Sequence, residues 1–176
     1  MHSAPRRSSK NTKAPKELEA AAQKRNLGAM RILTILVALV LVAVIAAAVW
    51  FRMAPMPPET WHVDPAEATP PATPNFELRT GADAPRLAGT PTEVMLRLDA
   101  VAKADGAERI GGDPSEGFVT YVARSRIMGF PDAISIRLHE DGDRTRVDIF
   151  SRARFGQSDM GVNAARVTRW IDAASS

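Results

Sequence analysis

The side chains best suited to chemistry in this sequence are arginines that recur at alternate positions in its C-terminal half. A guanidinium group presents a planar fork of N–H donors that matches carboxylate and phosphate oxygens. If the segments that carry these arginines are β-strands, alternate side chains share one face. That face would hold a single carboxylate, Asp148, against Arg124, Arg126, Arg137, Arg144, Arg146, Arg152 and Arg154. The pattern predicts a face that binds anions or docks a partner. The alternative is a solvated surface whose arginines pair with acids at the strand ends.

A second candidate site is the segment 151–163, which leads from a predicted strand into the N-terminus of a predicted helix. Unpaired N–H groups at a helix N-terminus favour an anion. The side chains that could surround a phosphate or carboxylate there are Arg152, Arg154, Ser158 and Asn163. In the structural alternative, Gly156 allows a turn, Ser158 or Asp159 caps the helix, and Asn163 satisfies a loop carbonyl. With Arg124 and Arg126, these four residues are the candidate anion-binding or partner-binding residues.

The sequence lacks the residues of most common metal and catalytic sites. It contains no cysteine, which excludes disulfides, thiolate zinc sites, iron–sulfur clusters and a cysteine nucleophile. The histidines are scattered at His2, His62 and His139, and no serine elbow, phosphate-binding loop or zinc-helix motif occurs. We therefore expect no cofactor and no metal, and a binding module in preference to an enzyme. The alternative is a hydrolase, which would require the carboxylates of Asp132, Asp148 and Asp159 to converge in the fold.

The C-terminal hundred residues predict an α+β domain that positions these side chains. Thr90-Pro91-Thr92-Glu93 is a capping box with proline at the first helical position, which predicts a helix over 91–104. Apolar residues alternate in the segments 107–110, 118–127, 133–140 and 144–155, with a hairpin at Asp141-Gly142. A last helix would bury Met160, Ala164, Val167, Ile171 and Ala174. The predicted fold is a small antiparallel sheet of about four strands packed on two helices.

Residues 32–51 are twenty uncharged, mostly apolar residues, enough for a helix to cross the roughly 30 Å hydrocarbon core of a bilayer. The net charge of +3 divides into +6 for residues 1–31 and −3 for the remainder. The positive-inside bias therefore predicts a cytoplasmic N-terminus and an extracytoplasmic C-terminal domain. We expect a retained signal anchor, with a cleaved signal peptide as the competing interpretation. The basic excess lies in a tail, so we expect no nucleic-acid binding despite a pI near 9.7.

Between the apolar segment and the domain, residues 54–75 contain seven of the 13 prolines. Such composition predicts an extended, semi-rigid spacer. Trp61 and His62 stand out within it, and we expect Trp61 to pack on the domain or at the membrane interface in preference to docking a partner. The predicted organisation is a basic cytoplasmic tail (1–31), a transmembrane helix (32–51), a proline-rich linker (52–75) and the α+β domain (76–176).

Several segments of the domain resemble the family known as domain of unknown function 1499. The resemblance is carried by Tyr121-Val122-Ala123-Arg124-Ser125-Arg126, by Gly129-Phe130-Pro131-Asp132, by the segment 151–163 and by the terminal helix, and it covers roughly residues 74–174. It implies a bacterial protein whose family often carries hydrophobic N-terminal segments. Many members have a cysteine after a Pro-Asn pair, whereas Phe76 follows Pro74-Asn75 here. A redox or metal role for that cysteine cannot apply to this chain.

The sequence thus predicts a single-pass protein of the inner membrane that presents a periplasmic or other extracytoplasmic domain. Beyond the lipid bilayer, the expected partner of its arginine face is an acidic envelope protein, a lipid headgroup or a polyanion. The alternative is an envelope hydrolase that acts on an anionic substrate.

Overall fold

The computed structural model describes residues 13–176, with side chains from Lys16 onward. The chain divides into one compact unit that ends at Ala46 and another that spans Ala47–Ser176. Helix α1 (Lys13–Arg52) is long and apolar enough to cross a membrane, and its apolar part is not buried against protein. A helix with these properties near an N-terminus is either a membrane anchor or a signal sequence.

The second unit is built on an antiparallel sheet of six strands. They are β1 (Phe76–Arg79), β2 (Arg86–Ala88), β3 (Glu108–Asp113), β4 (Phe118–Arg124), β5 (Pro131–Asp141) and β6 (Arg144–Ala153). The order is β1-β6-β5-β4-β3, and β2 lies beside β1 along the same edge of β6. The predicted sheet of about four strands was therefore two strands too small, because β1 and β2 are too short to show a repeating pattern.

A one-turn helix, α2 (Pro58–Trp61), precedes the strands, and two longer helices cover one face of the sheet. Helix α3 (Pro91–Ala104) has the predicted bounds, and its capping box forms as expected between Thr90 and Glu93. Helix α4 (Val162–Ala174) begins later than its apolar pattern suggested, with Gly161 as N-cap residue. The core between helices and sheet joins side chains from both helices and all the long strands: Val94, Met95, Leu98, Val119, Tyr121, Ile134, Ile136, Val147, Ile149, Val167 and Trp170.

The predicted alternation holds within β4, β5 and β6 and fails just beyond their ends. Ile127 was assigned to the inner face, but β4 ends at Arg124 and Ile127 lies exposed in the following loop. Met160 was assigned to the buried side of the last helix. It instead precedes that helix with a positive φ of 52° and is exposed. Both side chains lie at the end of the sheet where β5 begins.

Candidate functional site

The candidate site lies on the face of the sheet opposite α3 and α4. Successive side chains of β6 point to opposite faces of the sheet. Val147 and Ile149 therefore join the core on the helix side, and Phe150 and Arg152 lie on the outer face. On the neighbouring β5, Ser135 and Arg137 occupy the corresponding positions. The outer face is thus rich in arginine, as the alternation predicted, but it also carries Val122 and Ala133, which form a small apolar cluster of their own.

A segment that we name the juxtamembrane strap, residues 53–68, lies against this outer face. Met56 and Trp61 pack on Val122 and Ala133. The strap includes a one-turn helix, α2 (Pro58–Trp61), and Asp64 lies 3.6 Å from the guanidinium of Arg137. In the sequence these residues have the composition of a spacer. In the structure Met56 and Trp61 pack against the sheet, as expected for Trp61, whereas Met53 at the start of the strap remains exposed.

His62 fixes the middle of the strap. Its ring stacks on Phe118 with centroids 3.9 Å apart, and its Nδ1 lies 2.8 Å from the hydroxyl of Thr120. It also lies directly over Gly111 and Gly112 of β3, where an added Cβ would come within 3 Å of the imidazole. Burial lowers the pKa of His62, and the nearby charge of Arg137 lowers it further. The docked strap therefore favours the neutral imidazole.

The outer-face arginines hold the strap through its carbonyl oxygens. Arg124 donates to the carbonyl of Phe51, in the last turn of α1, at 3.3 Å and to that of Ala54, in the strap, at 3.2 Å. Arg152 donates to the carbonyl of Trp61 at 2.7 Å. These groups were predicted to face water or a partner. In the structure the strap occupies much of the surface that they form, and its backbone carbonyls accept their hydrogen bonds.

Arg152 is the most buried of these arginines, with only 8% of the residue exposed. Its guanidinium lies 4.4 Å from the ring centroid of Phe150 and 5.2 Å from that of Trp61. A weak hydrogen bond of 3.4 Å reaches the hydroxyl of Ser135. Within residues 16–176, no carboxylate forms an ion pair with it. Burial lowers the pKa of Arg152 to about 10, so it remains a cation at neutral pH.

A cavity of about 490 Å³ opens beside Arg152, between the strap and β6. Its walls combine aromatic surface, hydroxyls, one acid and the buried cation: Thr60, Trp61, Glu67, Thr69, Phe150 and Arg152. Two hydrogen bonds occupy only part of the donor set of a guanidinium. The arrangement can therefore receive a carboxylate or phosphate whose organic body lies against the aromatic rings.

The six predicted site residues do not form one site. Arg124, Arg152 and Arg154 share the outer face, and Arg154 contacts Met56 of the strap. Arg126 lies in the exposed loop after β4. Ser158 accepts a hydrogen bond from the backbone of Met160. Asn163 is fully buried on the opposite face of the sheet from Arg152.

The buried contacts of Asn163 match its structural interpretation. Its amide donates to the backbone carbonyl of Asn75 at 3.1 Å and to the carboxylate of Asp159 at 2.7 Å, and its oxygen meets the hydroxyl of Ser151. Asp159 also accepts from the backbone N–H of Asn163 at 2.8 Å. With these contacts made, the side chain of Asn163 fixes the start of α4 to the sheet.

A second cavity, of about 330 Å³, lies between the loop after β4 and the loop after β6. Ser125, Phe130, Asp132, Phe155 and Ser158 are among its lining residues. Asp132 is buried and pairs with Arg166 at 2.9 Å. Burial raises the pKa of Asp132, opposed by Arg166 and reinforced by the charge of Asp159. Of the three carboxylates considered in the sequence, Asp148 lies apart, on the outer face with Arg146 and His139.

The sequence did not reveal the pairing of the strap with the arginine face. Trp61 and Arg152 are 91 positions apart, and no local pattern links residues so distant. The one available signal was a tryptophan within a proline-rich segment.

Comparisons with known proteins agree with the resemblance. A family described as a protein of unknown function, DUF1499, matches residues 52–173. The match begins at Arg52, so it includes the strap as well as the sheet and helices. A search of curated proteins found no match.

Proposed function

From the premise that this chain belongs to the DUF1499 family, whose function is unknown, we propose that it is a membrane-anchored binding module. Its ligand is a small organic anion, a carboxylate or a phosphate, held in the cavity beside Arg152. The observation that carries the proposal is a buried guanidinium that borders a cavity and lacks an ion-pair partner among the described residues. A buried charge is costly unless it is paired, and a bound anion would supply the pair.

The cavity walls favour an anion with an apolar or aromatic body. Phe150 and Trp61 flank the guanidinium, while Thr60 and Thr69 add hydroxyl groups that can donate to oxygen. Glu67 lines the same cavity and would oppose a second negative charge. The lining thus suits a ligand with one anionic group better than a polyanion.

The binding test uses the full chain in detergent, with inorganic phosphate and phenyl phosphate as probes and choline chloride as the cationic comparison. Both phosphates should raise the melting temperature of the wild-type chain, phenyl phosphate more at equal concentration. Arg152→Met should abolish this response. Arg144→Met, on the same strand but exposed, should retain it. Absence of a response in the wild-type chain, or an equal response in Arg152→Met, would overturn the proposal.

Glu67→Gln gives an independent check of ligand charge. Removing this carboxylate should strengthen phosphate binding, because it removes a like charge from the cavity wall. The substitution leaves the size of the cavity unchanged. Weaker binding in this variant would contradict an anionic ligand.

The proposed topology places residues 1–31 in the cytoplasm and the sheet domain outside it, in the periplasm of an inner-membrane protein. Its support is the excess of Lys and Arg before the apolar helix. Alkaline phosphatase fused after Ser176, which is active only outside the cytoplasm, should be active. Retention of residues 1–52 in the mature protein would distinguish the anchor from a cleaved signal.

The second candidate function is hydrolysis of an anionic substrate, and the observation that favours it is the cavity beside Asp132. There a carboxyl group with a raised pKa lies near the charge of Asp159 and two serines line the wall. The full chain would then turn over p-nitrophenyl phosphate or bis(p-nitrophenyl) phosphate, and Asp132→Asn would abolish turnover while Arg152→Met would not. Lack of turnover on both substrates counts against this alternative.

A further inference from the structure

Exposed apolar side chains concentrate at one end of the sheet domain. Beyond α1, the exposed large apolar residues of the described chain are Met53, Leu96, Ile127, Met160 and Val162. Ile127 is 83% exposed and Met160 is 94% exposed. Met53 directly follows α1, and Ile127 and Met160 lie in the loops after β4 and β6. Val162 is the first residue of α4, two positions after Met160, whereas Leu96 lies on α3. Such clustering marks a surface that contacts another apolar phase.

The same two loops contact the last turn of α1. Phe51 lies 4.2 Å from Phe130 and 5.2 Å from Phe155, measured between ring centroids. Trp50 lies 5.5 Å from Phe155. These contacts are all within the unit Ala47–Ser176. The loops are therefore held beside Trp50 and Phe51, which are the aromatic residues at the end of the apolar helix.

Backbone contacts fix the first loop in the same position. Arg52 donates to the carbonyl oxygen of Arg126 at 2.9 Å. At Gly129, which has a positive φ of 73°, an added Cβ would come within 2.8 Å of the Cβ of Arg52. Both the positive φ and the close approach of Arg52 therefore require glycine at position 129. Ile127 lies between these two contacts and projects away from protein.

We propose that the loops 125–130 and 155–161 form a membrane-contacting rim, which places Ile127 and Met160 in the lipid–water interface around the end of α1. A helix that spans the bilayer leaves tryptophan and phenylalanine at its end in the headgroup region. Side chains on loops that touch those rings lie at a similar depth. The rim is independent of the anion cavity, which lies on the outer face of the sheet.

Arginines beside the rim fit the headgroups of anionic lipids. Arg52 and Arg126 are exposed and, among the described residues, neither forms an ion pair. The rim itself contains one acid, Asp159, which accepts hydrogen bonds from the backbone N–H groups of Gly161 and Asn163. Asp132, at the start of β5, pairs with Arg166. The surface around the apolar side chains is thus basic, and lipid phosphate complements it.

The test exploits the absence of native cysteine. Single-cysteine variants Ile127→Cys, Met160→Cys and Leu96→Cys of the full chain are labelled with an environment-sensitive fluorophore and reconstituted into phosphatidylcholine–phosphatidylglycerol vesicles. Leu96 is the matched control, because it is apolar and 64% exposed but lies on α3. Circular dichroism checks that each variant is folded.

Lipids with a nitroxide near the headgroup should quench the fluorophore at positions 127 and 160 severalfold more than at position 96. Aqueous iodide should quench in the reverse order. Arg126→Gln should reduce lipid quenching at position 127 in the anionic vesicles. Equal quenching by iodide at all three positions would overturn the rim. An intermolecular disulfide between Ile127→Cys chains, together with weak lipid quenching, would also overturn the rim. That result would show that a second copy of the chain covers this surface.

Discussion

Replacing Arg152 with methionine separates a binding role from a folding role. Methionine keeps the length and apolar body of the side chain and removes its charge. The guanidinium it replaces is buried between two aromatic rings and makes one strong hydrogen bond, to the carbonyl of Trp61 at 2.7 Å. The effect on the free energy of unfolding is the difference between removing a desolvated charge and losing these contacts.

Burial lowers the pKa of Arg152 from its ordinary value to about 10, a shift of roughly two and a half units. At about 1.4 kcal/mol per pKa unit, holding the charge in the folded protein costs about 3 kcal/mol at neutral pH. The sign follows from linkage, because the unfolded chain keeps its proton to a higher pH than the folded chain. The cost is therefore present below pH 10.

The contacts that methionine would lose are of similar size. A hydrogen bond from a charged donor contributes about 1.5–3 kcal/mol, and the two cation–π contacts contribute about 1 kcal/mol each. Sulfur–aromatic contacts of about 0.3–1.5 kcal/mol would replace part of this. We therefore expect Arg152→Met to change the free energy of unfolding of the sheet domain by less than about 1.5 kcal/mol, while anion binding is lost.

The assay measures thermal and denaturant unfolding of the full chain in detergent, with and without phenyl phosphate, followed by tryptophan fluorescence. At a ligand concentration of about 100 times Kd, binding should stabilise the wild-type domain by about 2.7 kcal/mol. For a domain of this size that corresponds to a rise in Tm of roughly 10 °C. A loss above about 3 kcal/mol in Arg152→Met without ligand would refute the reasoning, because it would make the charge a structural requirement.

Three further predictions concern the strap and the buried ion pair. Acidification below the ordinary pKa of histidine should release the strap. Burial lowers the pKa of His62 in the docked form, so the undocked form takes up the proton at a higher pH and is favoured as the pH falls. Quenching of tryptophan fluorescence by iodide should then rise. Gly112→Ala should destabilise the domain by about 3 kcal/mol or more in denaturant unfolding, because its φ is +79° and an added Cβ would lie 2.1 Å from a carbonyl oxygen of β4. Asp132→Asn should cost about 1–3 kcal/mol in the same measurement, because it removes the closest charged partner of the buried Arg166, which keeps Asp105 at 3.9 Å and the amide oxygen of Asn163 at 3.2 Å.

Controls for these predictions come from the same chain. His62→Gln should remove the pH step, and persistence of the step would assign it to another group. Gly142→Ala has a similar positive φ of 65° with no atom within 4 Å of the added Cβ, so it should cost only about 1–2 kcal/mol. An equal loss in both glycine variants would contradict the role of close packing. No loss of stability in Asp132→Asn would show that Asp105 and Asn163 alone satisfy Arg166.

The parts of the fold that local chemistry determines were predictable from the sequence. The capping box placed α3 correctly, and alternation identified the two faces of β4, β5 and β6. The start of α4 was misplaced because Ser158 and Asp159 both suit a cap, whereas Gly161 occupies that position. Strands β1 and β2, of four and three residues, pair with β6 through backbone groups that leave no pattern in the sequence.

The site was predictable only in part. Alternation grouped Arg124, Arg152 and Arg154 correctly on one face, but it could not show what covers them. Proline content predicts an extended segment, and an extended segment can either leave a domain or lie along it. The choice here depends on Trp61 and His62 meeting Ala133 and Phe118, which are remote in sequence.

Two arginine contacts along the strap, one at its start and one at its middle, explain why arginine occurs on this face. At the start of the strap, the fork of Arg124 donates to two carbonyls, those of Phe51 and Ala54, which a lysine ammonium cannot do with the same planar geometry. Farther along the strap, Arg152 donates to the carbonyl of Trp61 and borders a cavity. A neutral donor such as glutamine could hold that carbonyl without the cost of a buried charge. The contacts of Arg152 only offset the cost of its charge, and the anion that we propose for the adjoining cavity would add the missing ion pair.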